Sequence, residues 1–306
     1  MSTIPQVAVV GGGYAGFASA VTLARGGARV SLFESSRTLG GRARVVEKND
    51  YAIDNGQHIL LGAYAETLRM LRLVGVKPGV LETRRLALVY PGQCELRAAP
   101  LPAPLHLAVG LLRAKGLDLQ DKLAMLRLMR QLKAARFRVE PDRTVSALLG
   151  AAGQTARLTR LIWEPLCIAA LNTPVAEASA QVFANVLRDS LAAGASASDL
   201  LLPRVDLSEL FPVPASRWLA MRGHTVRTSE PIKAVTWAGD GFRLEGDPWP
   251  NLYDHVVIAT APYHVAPLVE SLPLMAPVVF LMGIGPIARW KQARSEEHTS
   301  ELQSLR

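Results

Sequence analysis

QVAVVGGGYAGFASAVTLARGGARVSLFE, residues 6–34, decides the fold. Gln6–Val10 reads as a short apolar strand, the glycines from Gly11 to Gly16 as a turn, and the following segment as a helix to about Arg25. Arg29–Glu34 reads as a second strand, so the chain opens with a βαβ start. The glycines stand as Gly11-x-Gly13-x-x-Gly16, and Glu34 ends the second strand 23 residues after Gly11. Each position has a physical task. Gly11 permits the tight turn, Gly13 lets backbone approach a pyrophosphate at the positive helix end, and Gly16 allows close helix–strand packing. Glu34 can accept hydrogen bonds from ribose hydroxyls. In this context the motif predicts a dinucleotide-binding unit, without separating FAD from NAD.

Working outward, the composition sets the limits. The chain has 306 residues, 49% hydrophobic and 20% charged, which excludes a disordered protein and leaves room for one large or two ordinary domains. Cys94 and Cys167 lie far apart with no C-x-x-C spacing, so neither a disulfide framework nor a thiolate metal site is expected, and a reducing, cytosolic setting fits. The first residues lack a basic segment ahead of the apolar run Val7–Val10, which predicts no signal peptide. No run approaches the ~18–20 apolar residues of a membrane span; the longest, Leu105–Leu112 and Val278–Ile284, are too short. A formal charge of +8 suits an anionic membrane surface, while the absence of basic and aromatic interleaving argues against nucleic acid.

Beyond Glu34, Tyr51–Ile53 reads as a strand and Tyr64–Val74 as a helix ended by Gly75. Tyr90–Pro104 is rich in Pro, Gly and Ala and reads as a connection between domains. Residues 105–213 read as mostly helical. In Asp118–Arg138, Met125, Leu128, Met129 and Leu132 form one stripe, with Arg127, Arg130 and Lys133 largely away from it. Such a basic amphipathic helix suits either a solvated protein face or a membrane surface. Thr173 and Pro174 give a helix-start signal, with Phe183, Val186, Leu187 and Ser190 on one face. Strand signals return in Thr225–Val226, Ile232–Val235, Phe242–Leu244 and His255–Ala259, so the polypeptide is expected to leave the first domain and come back.

Leu39-Gly40-Gly41-Arg42 follows shortly after the ribose acid and offers close-packed backbone plus a cation near a second phosphate position. In that place it resembles the second signature of the FAD-containing amine oxidase and carotenoid desaturase superfamily. The string YAIDNGQHILLGAYAETLRML, residues 51–71, narrows the resemblance to the hydroxysqualene dehydroxylase family. Trp163–Cys167 with Ala170–Pro174, Asn185–Ser190 and Asp199–Asp206 also resemble that family, and the likeness spans residues 5 to about 270.

The resemblance implies an α/β protein with FAD as cofactor. It divides the chain into a discontinuous, Rossmann-like FAD-binding domain, residues 1–92 and 214–265, and an inserted, largely helical substrate domain, residues 93–213 and 266–293. It implies flavin contacts from Asp54 to His58, including Gly56 and Gln57, adenine near Val226, and the cofactor beside Ala259 and Thr260 on the returning strand. The implied reaction is reduction of hydroxysqualene to squalene in hopanoid synthesis, in a bacterial cytoplasm and at the inner membrane surface. Loss of an allylic hydroxyl as water needs an acid, an apolar tunnel and exclusion of water. Asp54, His58, Glu164 and Asp189 are the candidate acids. Each also has a structural alternative: a turn for Asp54, a satisfied core histidine for His58, a cap or arginine pair for Glu164, and pairing with Arg188 or Arg204 for Asp189. A carotenoid desaturase, a flavin amine oxidase, or an inactive truncated lipid-binding fragment are the competing readings.

Residues 294–306 interrupt the apolar chain with a polar string lacking helical or strand periodicity, and they resemble a translated sequencing adapter. The natural chain is therefore expected to continue differently somewhere after residue 277 to 293.

Overall fold

The structure is a computed structural model that describes residues 4–49, 51–56, 59–249, 251–272 and 279–280. It divides into two compact units: residues 1–58, 69–80 and 203–306 form the first, and residues 59–68 and 81–202 the second. The expected boundaries near 92 and 214 thus differ from the observed ones at 80 and 203. The physical reason lies in two segments. Tyr90–Pro104 is not a bare connection, because Ala87–Tyr90 and Cys94–Arg97 pair as an antiparallel hairpin that packs with the helical unit. Residues 266–272, expected in the substrate domain, instead place Leu268, Val269 and Leu272 against the core beneath the first unit's sheet.

The first unit is built on five parallel strands in the order Thr225–Arg227, Arg29–Phe33, Gln6–Val10, His255–Ile258, Val279–Phe280. Val7, Val9, Val30 and Leu32 are essentially inaccessible, as expected for strands covered on both faces. The helix Tyr14–Arg25 covers one face with Phe17, Ala20 and Val21, and the helix Pro212–Ala220 packs beside it. Full burial of a side chain such as Phe17 or Val21 stabilises by about 1.5–3 kcal/mol. The other face carries the hairpin Ala234–Trp237 and Phe242–Glu245 with the short helix Val265–Val269. The strand expected at Ile232–Val235 therefore begins two residues later, at Ala234.

The second unit contains a sheet of Leu60–Leu61, Leu200–Pro203 and Leu81–Arg84, short strands without an alternating pattern to announce them. Its helices Leu105–Leu112, Leu119–Ala134, Val145–Ala151, Glu164–Leu171 and Ala180–Leu187 surround a core centred on Trp163, Phe183, Leu128 and Leu158. Leu119–Ala134 starts with a capping box in which Asp118 and Asp121 each accept the other's backbone N–H. Leu128 and Leu132 are buried and Met125 and Met129 partly buried, as the stripe requires, while Arg127, Arg130 and Lys133 are exposed.

The start signal at Thr173–Pro174 does not open a helix. Asn172 takes a left-handed φ of 50° and ends the preceding helix, and Pro174 accepts the turn amides of Glu177 and Ala178. The next helix begins at Ala180, where Ser179 caps it through Val182 N–H.

Candidate functional site

The site lies at the carboxyl ends of the central parallel strands in the first unit. Gly11 leaves its strand with φ 115°, and a Cβ there would meet the Ala259 carbonyl at 2.7 Å. Gly16 packs so closely that a Cβ would stand 1.8 Å from the Gly11 carbonyl oxygen. Both positions are glycine because of the chain itself. Gly13 is different: a Cβ there would find nothing nearer than the Gly40 oxygen and Gly41 Cα at 3.9 Å. That space is bounded by the second glycine pair, since Gly40 bridges Gly13 in parallel and its N–H donates to the Gly12 carbonyl at 2.9 Å. Gly13 is also the N-cap of Tyr14–Arg25, with no side-chain cap and no acid in the first turn, so the helix presents its positive end there.

Glu34 is 8% exposed and its carboxylate is held in place: Oε2 accepts Gly12 N–H at 2.7 Å and Oε1 accepts Ser36 N–H at 2.8 Å. A carboxylate has about four lone-pair sites, so acceptor capacity remains for ribose hydroxyls. Val226 pairs with Leu32 on the neighbouring strand, and the Arg227 carbonyl accepts Glu34 N–H at 2.8 Å. Two buried polar atoms in this neighbourhood, Arg227 Nε and Thr260 Oγ1, have no partner among the described residues. Space at Gly13, an open helix end and two orphaned donors fit a dinucleotide whose phosphates lie over the glycines.

Arg42 is exposed, and its carbonyl accepts Asn55 Nδ2 at 3.2 Å. Asp54 accepts Leu207 N–H at 2.9 Å, which fixes the short helix Leu207–Leu210. From that helix Ser208 Oγ donates to the Leu39 carbonyl at 3.0 Å and accepts Val45 N–H at 3.1 Å, bracketing the second glycine loop. Tyr14 OH donates to the Leu207 carbonyl at 2.8 Å, and its ring packs on Phe211. Burial, with Asp54 and Asp206 adding, pushes the Tyr14 phenol far above its ordinary value, so it stays a proton donor. Tyr14 and Ser208 support the site without any motif that would single them out from sequence.

Gly56 has φ 97° and donates its N–H to the Asp54 carbonyl at 2.7 Å, while Gln57 and His58 lie outside the described residues. Glu164 and Asp189 belong to the helical unit. Glu164 opens the helix Glu164–Leu171 ahead of Pro165, and its charge adds to the burial that raises the Cys167 thiol. Asp189 is 56% exposed and paired with Arg188 through Oδ1–Nε at 2.7 Å and Oδ2–Nη2 at 3.1 Å. A carboxylate in that setting is solvated and ion-paired rather than desolvated.

A dinucleotide-binding α/β unit joined to a helical unit is the class that this fold and site define. Residues 14–282 match the flavin containing amine oxidoreductase model, and the chain belongs to that family. FAD is the cofactor that this membership and the glycine site support. The chain is similar to hydroxysqualene dehydroxylase of Rhodopseudomonas palustris, 31% identical over 87% of this chain and 64% of the relative. It is 27% identical to hydroxysqualene dehydroxylase of Zymomonas mobilis over 76% of this chain and 55% of that protein. The chain thus spans less than two thirds of the length of these relatives. Among solved structures, an oxidoreductase from Methanosarcina mazei superimposes with a TM-score of 0.62 at 14% identity, covering 87% of this chain and 61% of that one, which is a likeness of fold.

The Glu34 carboxylate holds both the turn and a candidate ribose contact, so Glu34→Ala is expected to weaken FAD binding about tenfold or more. Glu34→Gln, which keeps one acceptor oxygen, should lose less. Fluorescence titration with FAD measures both; affinity unchanged in Glu34→Ala would remove Glu34 from the ribose site.

Proposed function

We propose that the protein to which this chain belongs reduces hydroxysqualene to squalene with FAD, in hopanoid or related triterpenoid synthesis. The observation that carries the flavin half is the space at Gly13, walled by Gly40 and Gly41 and facing an uncapped helix end. Similarity to the two hydroxysqualene dehydroxylases over most of the chain supports the substrate. When bound, reduced FAD supplies the hydride equivalent. The chain's own residues would bind and orient it: Gly11 and Gly16 shape the turn and seat the helix, Gly13 would admit the phosphates between it and Gly40 and Gly41, and Glu34 would take the ribose. Val226, Arg227, Ala259 and Thr260 line the rest. Of the candidate acids, Asp54 is committed to Leu207 and Asp189 to Arg188, while Glu164 opens its helix ahead of Pro165.

The reading is tested by anaerobic reduction of the flavin-loaded protein followed by hydroxysqualene. Squalene formed in step with flavin reoxidation is the expected result. Reduced flavin that hydroxysqualene does not reoxidise, with oxidised flavin reduced by an amine or a carotene instead, would overturn the substrate assignment.

A peripheral place on an anionic membrane fits the lipid substrate. No described helix is long and apolar enough to cross a membrane. Leu119, Leu123 and Leu126 share the outward face of their helix at 72%, 52% and 43% exposure, and Lys122 beside them donates to the carbonyl of exposed Leu112 at 2.9 Å. Charge next to bare leucine is the arrangement of an interfacial helix. Leu119→Glu with Leu123→Glu is expected to lower binding to anionic vesicles about tenfold or more, read by co-sedimentation. Unchanged sedimentation would move the contact elsewhere.

A further inference from the structure

The second glycine loop, residues 39–45, has its carbonyls taken and two of its amides open. Ser208 Oγ donates to the Leu39 carbonyl at 3.0 Å and accepts Val45 N–H at 3.1 Å, so one side chain ties both ends of the loop. Within the loop, Ala43 N–H donates to the Gly40 carbonyl at 3.1 Å. From the end of the strand Tyr51–Asp54, Asn55 Nδ2 donates to the Arg42 carbonyl at 3.2 Å and Asn55 N–H to the Arg44 carbonyl at 2.9 Å. The acceptors of Leu39, Gly40, Arg42 and Arg44 are thereby engaged. The amides of Gly41 and Arg42 donate to no described residue.

That asymmetry decides what the loop offers a ligand. A carbonyl oxygen repels a phosphate, whereas successive free N–H groups make a concavity that attracts one. The loop also stands in the right place. A Cβ on Gly41 would meet Gly13 Cα at 3.2 Å, and Gly40 N–H donates to the Gly12 carbonyl at 2.9 Å. The side chains of Ser208 and Asn55 thus hold the acceptors and spare the donors next to the phosphate position.

Asp54 joins the two ties. Its Oδ1 accepts Leu207 N–H at 2.9 Å, while Tyr14 OH donates to the Leu207 carbonyl at 2.8 Å. Both backbone groups of Leu207 are therefore held by side chains, and Ser208 follows directly at 4% exposure. Tyr14 opens the helix whose N-cap is Gly13, so the same turn is fastened to both walls of the gap. All of these residues belong to the first unit.

We propose that Asp54, Asn55 and Ser208 are positioning residues of the cofactor site. They form a clasp that engages the loop carbonyls and leaves the Gly41 and Arg42 amides to donate to the diphosphate. The proposal rests on the flavin half of the reading under Proposed function and is independent of the substrate. It gives Asp54 a task that needs an acceptor oxygen rather than an acidic proton.

Binding to the full chain is measured with ADP, which carries a diphosphate, and with adenosine, which shares its adenine and ribose and carries none. Ser208→Ala and Asp54→Ala are each expected to weaken ADP about tenfold and adenosine less than about twofold. A role confined to holding the fold would weaken both ligands alike. Equal losses would overturn the clasp, as would unchanged ADP affinity in both variants. Asp54→Asn keeps an acceptor for Leu207 N–H and is expected to bind ADP within about threefold of the parent. An Asp54→Asn chain as weak as Asp54→Ala would take Asp54 out of the clasp. Should the variants fail to fold, nitrogen-15 NMR of the unaltered chain decides: the Gly41 and Arg42 amide signals are expected to move with ADP and to stay with adenosine. The two readings fail separately. A chain that binds ADP with those amides unmoved loses the clasp alone, and a chain that binds neither ADP nor FAD loses the dinucleotide site and the clasp with it.

Discussion

Gly16→Ala is expected to give a chain that retains no flavin through desalting. The added Cβ would stand 1.8 Å from the Gly11 carbonyl oxygen, well inside van der Waals contact, and both atoms belong to backbone. Gly11 cannot yield, because its φ of 115° and its approach to Ala259 already fix the turn. The helix must therefore back away from the strand, carrying its positive end off the phosphate position. Overpacking of this kind costs about 1–3 kcal/mol before any loss of ligand contacts. With those contacts included, FAD affinity should fall about 100-fold or more. Gly13→Ala provides the contrast. Its methyl meets no chain atom nearer than 3.9 Å, so the protein should fold as before while losing flavin to a group that occupies ligand space. Circular dichroism reports the fold and visible absorbance the flavin. A Gly13→Ala chain as yellow as the parent would show that the phosphates do not lie there.

These two glycines also mark how much of the site was legible beforehand. Gly11, Gly13, Gly16 and Glu34 carry their meaning in spacing, because a strand, a turn and a helix can approach a pyrophosphate in few ways. The parallel sheet followed from the same stretch and from the continuous apolar run His255–Ile258. Tyr14 and Ser208 were not legible, since Tyr14 bonds Leu207, 193 residues along the chain, and Ser208 bonds Leu39, 169 residues away, partners brought together only by the fold. The false helix start at Thr173–Pro174 shows the reverse case. Proline at a first helical turn and proline in a tight turn have the same local signature, and the left-handed Asn172 decided between them. Short strands such as Leu60–Leu61 and Leu81–Arg84 have too few residues to display a period of two, so only their pairing defines them.

Trp163→Ala should produce the largest loss of stability in the helical unit. A tryptophan in an apolar string is a core residue by default, and here the side chain is fully buried, with its ring edge-on to Phe183 at 6.4 Å. Its indole N–H donates to Gln154 Oε1 at 2.9 Å, and Gln154 Nε2 in turn donates to the Ala124 carbonyl at 2.7 Å on the helix Leu119–Ala134. Truncation to alanine opens a cavity and leaves the oxygen of half-buried Gln154 without its donor, so about 3–5 kcal/mol is expected to be lost. Trp163→Phe keeps most of the volume and removes only the N–H, which should cost about 1–2 kcal/mol. The difference between the variants separates packing from hydrogen bonding. Because the glycine site has its own sheet and core, the loss should fall on the helical unit's amides in native-state hydrogen exchange, with those of Gln6–Val10 and Arg29–Phe33 little changed. Equal loosening of both sets would mean that the two cores unfold as one, and a loss below about 1 kcal/mol in Trp163→Ala would mean that the helical unit does not rest on this residue.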